Sequence, residues 1–363
     1  MRTLKENQKL RMDWAGAGVV WFLVLLLAVS LTAAVTFGTM SLPIRDVYGV
    51  LYYKAVHFFL GAEVPTQWAE GSALHDVVWL IRLPRLVLGA AVGAALALCG
   101  VVMQAIVKNP LADPYILGIS SGASLGATLA TLFSIGAVWG TKSVGVMAFA
   151  GALMISCAVL FLANLGGRAT AVKLLLAGSA LSAVCNAFSN FAIYLRNDDH
   201  APSQIIRWTM GGLGAANWQD NQIFVLAVLA GTLFFITQCR TLNLMLLGDD
   251  NAVTLGTDLH WHRIAYLLVT SLLIGLAVYN AGTIGFVGLV VPHGVRLLLG
   301  TDHRRLIPVS TLVGAIFLVW ADVACRTVLP GNEIPIGILT SMAGAPVFLY
   351  LMVRHRYGFG GSE

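Results

Sequence analysis

Charge is what this chain has least of. Only 11% of its 363 residues are Asp, Glu, Lys or Arg, while 58% are hydrophobic. An ordinary soluble domain carries about 25% charged residues. So few charges cannot coat a globule of this size, which argues against a soluble enzyme. Disorder needs low hydrophobicity and high charge, and the same numbers exclude it. Cysteine is also sparse. Cys99, Cys157, Cys185, Cys239 and Cys325 lie far apart, no two at CxxC or metal-site spacing. They read as small buried hydrophobes, and no metal site is expected. Catalytic signatures are missing too: there is no H-E-x-x-H, no G-x-S-x-G and no G-x-G-x-x-G on a strand. No G-x-x-x-x-G-K-[ST] occurs, and Gly140-Thr141-Lys142-Ser143 only resembles the tail of one. ATP hydrolysis and any cofactor chemistry are therefore expected elsewhere than in this chain.

What the chain does have is long apolar runs. A spanning helix needs about 20 apolar residues. Ten candidate segments lie at 14–37, 83–107, 114–135, 144–163, 174–195, 222–237, 264–281, 283–299, 306–325 and 335–353. The expected fold is an all-α polytopic membrane protein of about ten spans, forming one domain over residues 1–363. The segments at 264–281 and 283–299 are short and joined at Asn280-Ala281-Gly282, so one of them is a candidate broken helix. The basic stretch Arg2 to Arg11 before the first run resembles a signal peptide. That run exceeds a normal h-region, which favours an uncleaved first span.

An even number of spans puts both termini on one side, and the positive-inside rule chooses the cytoplasm. Of the 22 basic residues, 14 then fall inside, among them Arg168 and Arg356. Eight fall outside: Arg45, Lys54, Arg82, Arg85, Lys142, Arg196, Arg207 and Arg326. The net charge of +5 thus concerns membrane sidedness and does not call for nucleic acid. Residues 38–78 form an outer loop of aromatic and amphipathic character. Residues 196–221, with Asn197-Asp198-Asp199-His200, form a second, and 238–263 form the longest cytoplasmic loop. Glycines three or four apart, such as Gly89 and Gly93, or Gly118, Gly122 and Gly126, let helix backbones approach closely in lipid.

The middles of the spans are nearly free of ionisable residues. Asp322 and Arg326 are the main exception, and their spacing of four predicts a local ion pair near the outer end. A stand-alone secondary transporter would place coupling charges deep in its spans, at a cost of at least about 2.5–3.5 kcal/mol each. A membrane-embedded enzyme would need His, Asp or Glu clustered at one depth. Neither pattern is present, so the driving energy is expected from a partner.

Several separated blocks carry a resemblance. They are Arg82-Leu83-Pro84-Arg85, Asn109-Pro110-Leu111-Ala112-Asp113-Pro114, Trp208-Thr209-Met210-Gly211-Gly212 and Leu247-Gly248-Asp249 with Leu255-Gly256. Gly282-Thr283-Ile284-Gly285-Phe286 running into Pro292-His293, and Glu333-Ile334-Pro335-Ile336-Gly337, continue the series. In this order they resemble the FecCD-type permeases, membrane subunits of ABC importers for iron chelates, haem and cobalamin. The resemblance spans about residues 14–355. It implies a second permease chain, identical or paralogous. It also implies two ATP-binding cassette subunits that use the ATP, an extracytoplasmic substrate-binding protein, and residence in the cytoplasmic membrane. A ferric siderophore is the expected cargo, with haem and cobalamin as alternatives.

Individual residues take roles within that scheme. Arg82 and Arg85 enter the second span on its outer side, where two cations face water and are able to pair with acids on a docking protein. The plainer reading is that they snorkel to anchor the helix. The resemblance adds Arg326 to the docking set. Pro110 and Pro114 enforce a turn in which Asp113 is a candidate cap, and the family implies that Asn109 and Leu111 also form a cytoplasmic gate. Gly248, Asp249, Asp250, Ala252, Leu255 and Gly256 read as a short helix between glycines, with Asp249 as N-cap and Gly256 as stop. In the family this element couples to the ATPase; otherwise it is a solvated loop helix. The resemblance makes the fifth span the pathway lining, with Ser179, Ser182, Asn186, Ser189 and Asn190 mostly on one side. Hydrogen bonding between helices is the competing use of those groups. His293, beside a proline and without a second ligand nearby, reads as a structural residue.

Overall fold

The computed structural model describes residues 2–38, 40, 42–60, 68–165, 167, 169–196, 200–329 and 331–354. Arg168, Arg356 and Asn197–Asp199, placed above by sequence, lie outside the described residues. Among the described residues every regular element is a helix. In chain order they are α1 (Arg2–Ala34), α2 (Ile44–Leu60), α3 (Ala73–Val107), α4 (Ile119–Phe133), α5 (Ser143–Asn164), α6 (Ala171–Arg196) and α7 (Ala201–Thr209). Then follow α8 (Trp218–Thr237), α9 (Cys239–Leu247), α10 (Asp249–Thr254), α11 (Leu259–Ala281), α12 (Val287–Leu299), α13 (His303–Thr327) and α14 (Ile336–Arg354). Seven of these, α1, α3, α5, α6, α8, α11 and α13, are long and apolar enough to cross a membrane. The apolar helices α4, α12 and α14 are shorter.

Each apolar segment expected from the sequence is helical, but three boundaries move for local reasons. The 114–135 segment is split by Gly118 (φ 75°) into a 3-10 turn, Pro114–Leu117, and α4. The outer loop 38–78 contains α2 and the first turns of α3. The 283–299 segment becomes helical only at Val287, after Gly282 and Phe286 take positive φ, which shortens α12 as a broken helix would. Cys157 departs from the expectation of burial: it is exposed on α5, whereas the other four cysteines are buried.

The bundle is built around α3. Of its most apolar stretch, 89% is buried within the protein. Pro84 has no N–H to donate, and the helix widens into a π-turn over Asp76–Arg82 just before it, where Leu83 N–H reaches back to Val78 O. Beyond the proline, glycine sets the crossings. A Cβ on Gly93 would stand 2.1 Å from the carbonyl oxygen of Gly314 in α13. Two turns on, a Cβ on Gly100 would stand 1.8 Å from the carbonyl oxygen of Gly288 at the start of α12. Only a bare Cα permits backbones to lie this close. At the N-terminal end of α3, the end expected from the sequence to face outward, α2 packs Val47 and Val50 against Ala34, Val35, Val78, Leu86 and Val319. It thereby roofs α1, α3 and α13.

Gly100→Ala is expected to cost about 1–3 kcal/mol through overpacking, read as a lower melting temperature of the solubilised protein. Gly294→Ala, where a Cβ would meet nothing within 4 Å, is the matched control and should leave the temperature unchanged.

Candidate functional site

Polar side chains gather at the two ends of α3. At the outer end, Arg85 Nε lies 2.9 Å from Asp322 Oδ1 and Arg85 Nη1 lies 2.8 Å from Glu333 Oε2. Arg326 Nε lies 3.0 Å from the second oxygen of Asp322, forming the expected pair four residues apart on α13. Its Nη1 donates to Phe37 O at 3.0 Å. Arg82 points back into the protein and donates to the carbonyls of Val35 (3.0 Å) and Thr36 (3.2 Å), and also to that of Met40.

This corrects the expectation that Arg82 and Arg85 face water, and Arg326 is buried with them. Arg82 is 4% exposed and Arg326 5%. The partners of Arg82, and one partner of Arg326 besides Asp322, are backbone carbonyls of the segment that follows α1. Only Arg85 and Glu333 reach the rim, with side chains 12% and 42% exposed. No local pattern signals this, since the partners of Arg82 lie more than 40 residues away.

At the C-terminal end of α3, the end expected to face inward, Lys108 closes the helix in the left-handed conformation (φ 56°). Asn109 follows and turns the chain, its Oδ1 accepting from Leu111 N–H at 2.9 Å. Asn109 is exposed and Leu111 half-buried. Asp113 caps the next turn, accepting from Tyr115 N–H at 2.8 Å. Burial pushes its carboxyl up to about 6, against that hydrogen bond.

The expected glycine-bounded helix is α10. Gly256 (φ 79°) stops it, with Thr257 N–H on Ala252 O and Gly256 N–H on Val253 O, both at 2.9 Å. That pattern is a Schellman stop. The N-cap is Gly248 and not Asp249. Asp249 Oδ1 lies 3.3 Å from Lys108 Nζ and 2.8 Å from Arg263 Nη2, while Arg263 Nη1 donates to Ala169 O at 2.8 Å. One carboxylate thus ties α10 to the end of α3, to the start of α11 and, through Arg263, to the link before α6. Burial raises the Asp249 carboxyl, but Arg263 and Lys108 outweigh it and hold it below its ordinary value. Lys108 and Arg263 entered the sequence reading only as inner-side charges. Alongside, Asn243 of α9 donates to Asp302 Oδ1 at 2.8 Å and accepts from His303 N–H at 3.0 Å, fixing α9 to α13. Asp250 and Leu255 are exposed on α10 and its stop, and Ala252 is fully buried.

On α6 the five expected pathway residues divide. Ser179, Asn186 and Asn190 are exposed along one stripe, because residues seven and eleven positions apart return to nearly the same angle on a helix. Ser182 is half-buried and Ser189 buried, so both turn away from it. Near the outer ends of α7, α12 and α14 lies a cavity of about 410 Å³ lined by Thr209, Met210, Thr283, Ile338, Ser341 and Met342. It has no ionisable side chain among those residues, and no local sequence pattern reveals it because its walls come from three segments far apart in the chain. A second outer cavity of about 580 Å³ has Arg207, Lys142 and Asp220 on its walls, with Lys142 Nζ 2.7 Å from Asp220 Oδ1.

Membrane-length helices packed round a buried central helix, with ionic clusters confined to its two ends, fit a membrane permease. The FecCD transport family matches residues 25–354, and the chain belongs to it. It is 39% identical over 360 residues to an uncharacterized ABC transporter permease protein, YvrB, of Bacillus subtilis (strain 168), covering 99% of each chain. It is 40% identical over 326 residues to the cobalamin import permease BtuC of Halobacterium salinarum, covering 90% of this chain and 85% of that one. To the hemin transport permease HmuU of Yersinia pestis it is 38% identical over 338 residues, covering 92% and 95%. A solved inward-facing ABC transporter assigned to the metal-chelate type superposes with a TM-score of 0.79 at 28% identity, over 93% of this chain and all of that one. The protein is accordingly an ABC importer permease and not an enzyme; ATP hydrolysis belongs to a separate subunit.

A carboxylate titrating below its ordinary value lends stability that is fully present above about pH 4 and lost as pH falls through the lowered value. Asp249→Asn should therefore lower the stability of the solubilised protein by about 1 kcal/mol, equally at pH 8 and pH 6. A loss that differed between those two values would assign the titration to another group.

Proposed function

We propose that this permease carries an iron chelate, a ferric siderophore, across the cytoplasmic membrane. In this reading α1, α3, α4, α5, α6, α8, α11, α12, α13 and α14 form ten spans with both termini in the cytoplasm. Two permease chains, identical or paralogous, enclose the pathway between them. Two ATPase subunits sit below and an extracytoplasmic binding protein docks above.

The observation that carries the reading is the uncharged wall. The exposed stripe of Ser179, Asn186 and Asn190, and the outer cavity beside Thr209, Thr283 and Ser341, offer amide and hydroxyl groups and no fixed charge. Such a surface wets a bulky, partly apolar chelate without binding it through ion pairs that would have to be broken at each step. A metal already enclosed by its chelator needs no ligand from the wall. The metal-chelate type of the structural relative supports this cargo. Haem or cobalamin is the second reading, supported by the hemin and cobalamin permeases among the relatives.

Asn109 and Leu111 are the inner gate, on a turn that starts at the Lys108 contact with Asp249. The α10 element, from Gly248 to Gly256, is the part that the ATPase moves. It is short, closed at both ends by glycine and ionically fastened to α3 and α11, so a push on it reaches two spans and the gate turn together. At the outer face Arg85 is the cation offered to a binding protein, while Arg82 and Arg326 brace the ground around it.

Deleting and then restoring the gene while supplying ferric siderophores, haem and cobalamin in parallel tests the cargo. Uptake of a ferric siderophore should return with the gene and vanish when the partner ATPase is inactivated. Return of haem or cobalamin uptake alone would install the second reading. Replacing residues 249–256 by a Gly/Ser linker should abolish both uptake and stimulated ATP hydrolysis; survival of both would remove the coupling role from α10.

A further inference from the structure

The outer ionic cluster holds three guanidinium groups and two carboxylates. Asp322 is 1% exposed and lies between Arg85 and Arg326. Arg82 has only backbone oxygens as partners. Glu333 is the one acid of this cluster at the surface, and it holds Arg85 through a single contact of 2.8 Å. Take Glu333 away and two arginines are left sharing one buried carboxylate, with Arg85 aimed at the opening. A partly buried cation with an unfilled donor is a costly arrangement, and any carboxylate brought to it is strongly favoured.

We propose that Glu333 is an internal stand-in for an acidic side chain of the docking protein. On docking, the partner's carboxylate takes its place on Arg85. The partner surface that fits is therefore one presenting an Asp or Glu on a protrusion able to reach a recessed guanidinium. The inference rests on the docking role given to Arg85 above and adds to it the identity of the group that must leave.

The exchange acts on a segment that reaches the transport machinery within four residues. Ile334 N–H is held by Cys325 O at 3.1 Å, and Gly337 N–H by Met210 O at 3.0 Å. Gly337 is packed so closely there that a Cβ would stand 2.3 Å from Met210 O. Met210, Thr283 and Gly337 all border the uncharged outer cavity. Freeing Glu333 releases one of the ties on the strap between α13 and α14, beside the entrance that the cargo would use. Docking is thereby linked to the mouth of the pathway, and the undocked protein keeps Arg85 neutralised.

The test uses the full permease with its ATPase in lipid nanodiscs, and the purified binding protein whose deletion stops uptake in the assay above. Glu333→Gln keeps the shape and removes the competing charge, and should tighten docking about tenfold, the effect of about 1.4 kcal/mol. Arg85→Gln should weaken docking by at least as much. The double variant should behave like Arg85→Gln alone, because without the cation there is nothing to compete for. Equal or weaker docking by Glu333→Gln, with Arg85→Gln still weakening it, overturns the stand-in and leaves the docking surface in place. No change in either single variant overturns the docking role of Arg85 as well. Thermal stability of each variant, measured in parallel, identifies any loss caused by unfolding, and Glu333→Ala gives a second removal of the charge on the same exposed side chain.

Discussion

Helix contact without side chains is the constraint on which the rest of this structure depends. Lipid supplies no hydrophobic force to push helices together, so association rests on close packing and on whatever polar contacts can be made. At Gly93 with Gly314, and at Gly100 with Gly288, backbone lies on backbone. Both contacts fall on α3, which is consequently enclosed by its neighbours for most of its length. A helix so enclosed cannot carry charge through its middle, and between Arg85 and Lys108 it carries none. Its ionic groups are therefore driven to its two ends.

Those ends are where the outer and inner networks sit. Arg85 and Lys108 are 23 residues apart in the sequence, a helical rise of about 35 Å. A straight, buried helix transmits displacement as a rigid body, because bending it would break contacts all round. Arg85, the group proposed for docking, and Lys108, the group fastened to α10, are thus mounted on the same rod. That arrangement gives a physical route between the two faces without requiring a chain of titratable residues, in keeping with spans that have almost none.

Hydropathy was enough to find the apolar helices, because each must present a continuous nonpolar surface whatever its neighbours are. It missed α2, whose alternating character only makes sense once the ends of α1, α3 and α13 are beneath it. The Asp322–Arg326 pair could be read from its spacing on one helix, but the arrival of Arg85 from α3 could not, since 237 positions separate it from Asp322. Arg82 was misread for a related reason: an arginine beside a helix-starting proline looks solvent-facing until the unsatisfied carbonyls after α1 are placed next to it. Asp249 at the head of a short helix suggested a cap, and ion pairing with Lys108 and Arg263 overrode that local preference. The division of Ser182 and Ser189 from Ser179, Asn186 and Asn190 follows helix geometry and is legible in principle; counting spacings of three and four together blurs a stripe that spacings of seven and eleven resolve.

The two networks differ in how easily they can be remade, and this difference assigns them different work. Asp322 is almost wholly out of solvent between two guanidiniums. Pulling either cation from it would strand a buried charge, at a cost of several kcal/mol, so that part of the outer network is a fixed anchor. In the inner network Asp249 is 47% exposed and Lys108 32%. Water is available to receive both groups when they part, and such pairs are worth only about 0–1 kcal/mol. The Lys108–Asp249 contact is therefore weak enough for the proposed coupling motion to open it without threatening the fold, with Arg263 still on the carboxylate. Glu333, the acid of the outer network that we propose to be exchanged, shares this property at 42% exposure. The contacts open to water are thus Lys108 with Asp249 and Arg85 with Glu333, while the buried Asp322, the buried Arg263 on Asp249 and the bare glycines keep the bundle in register.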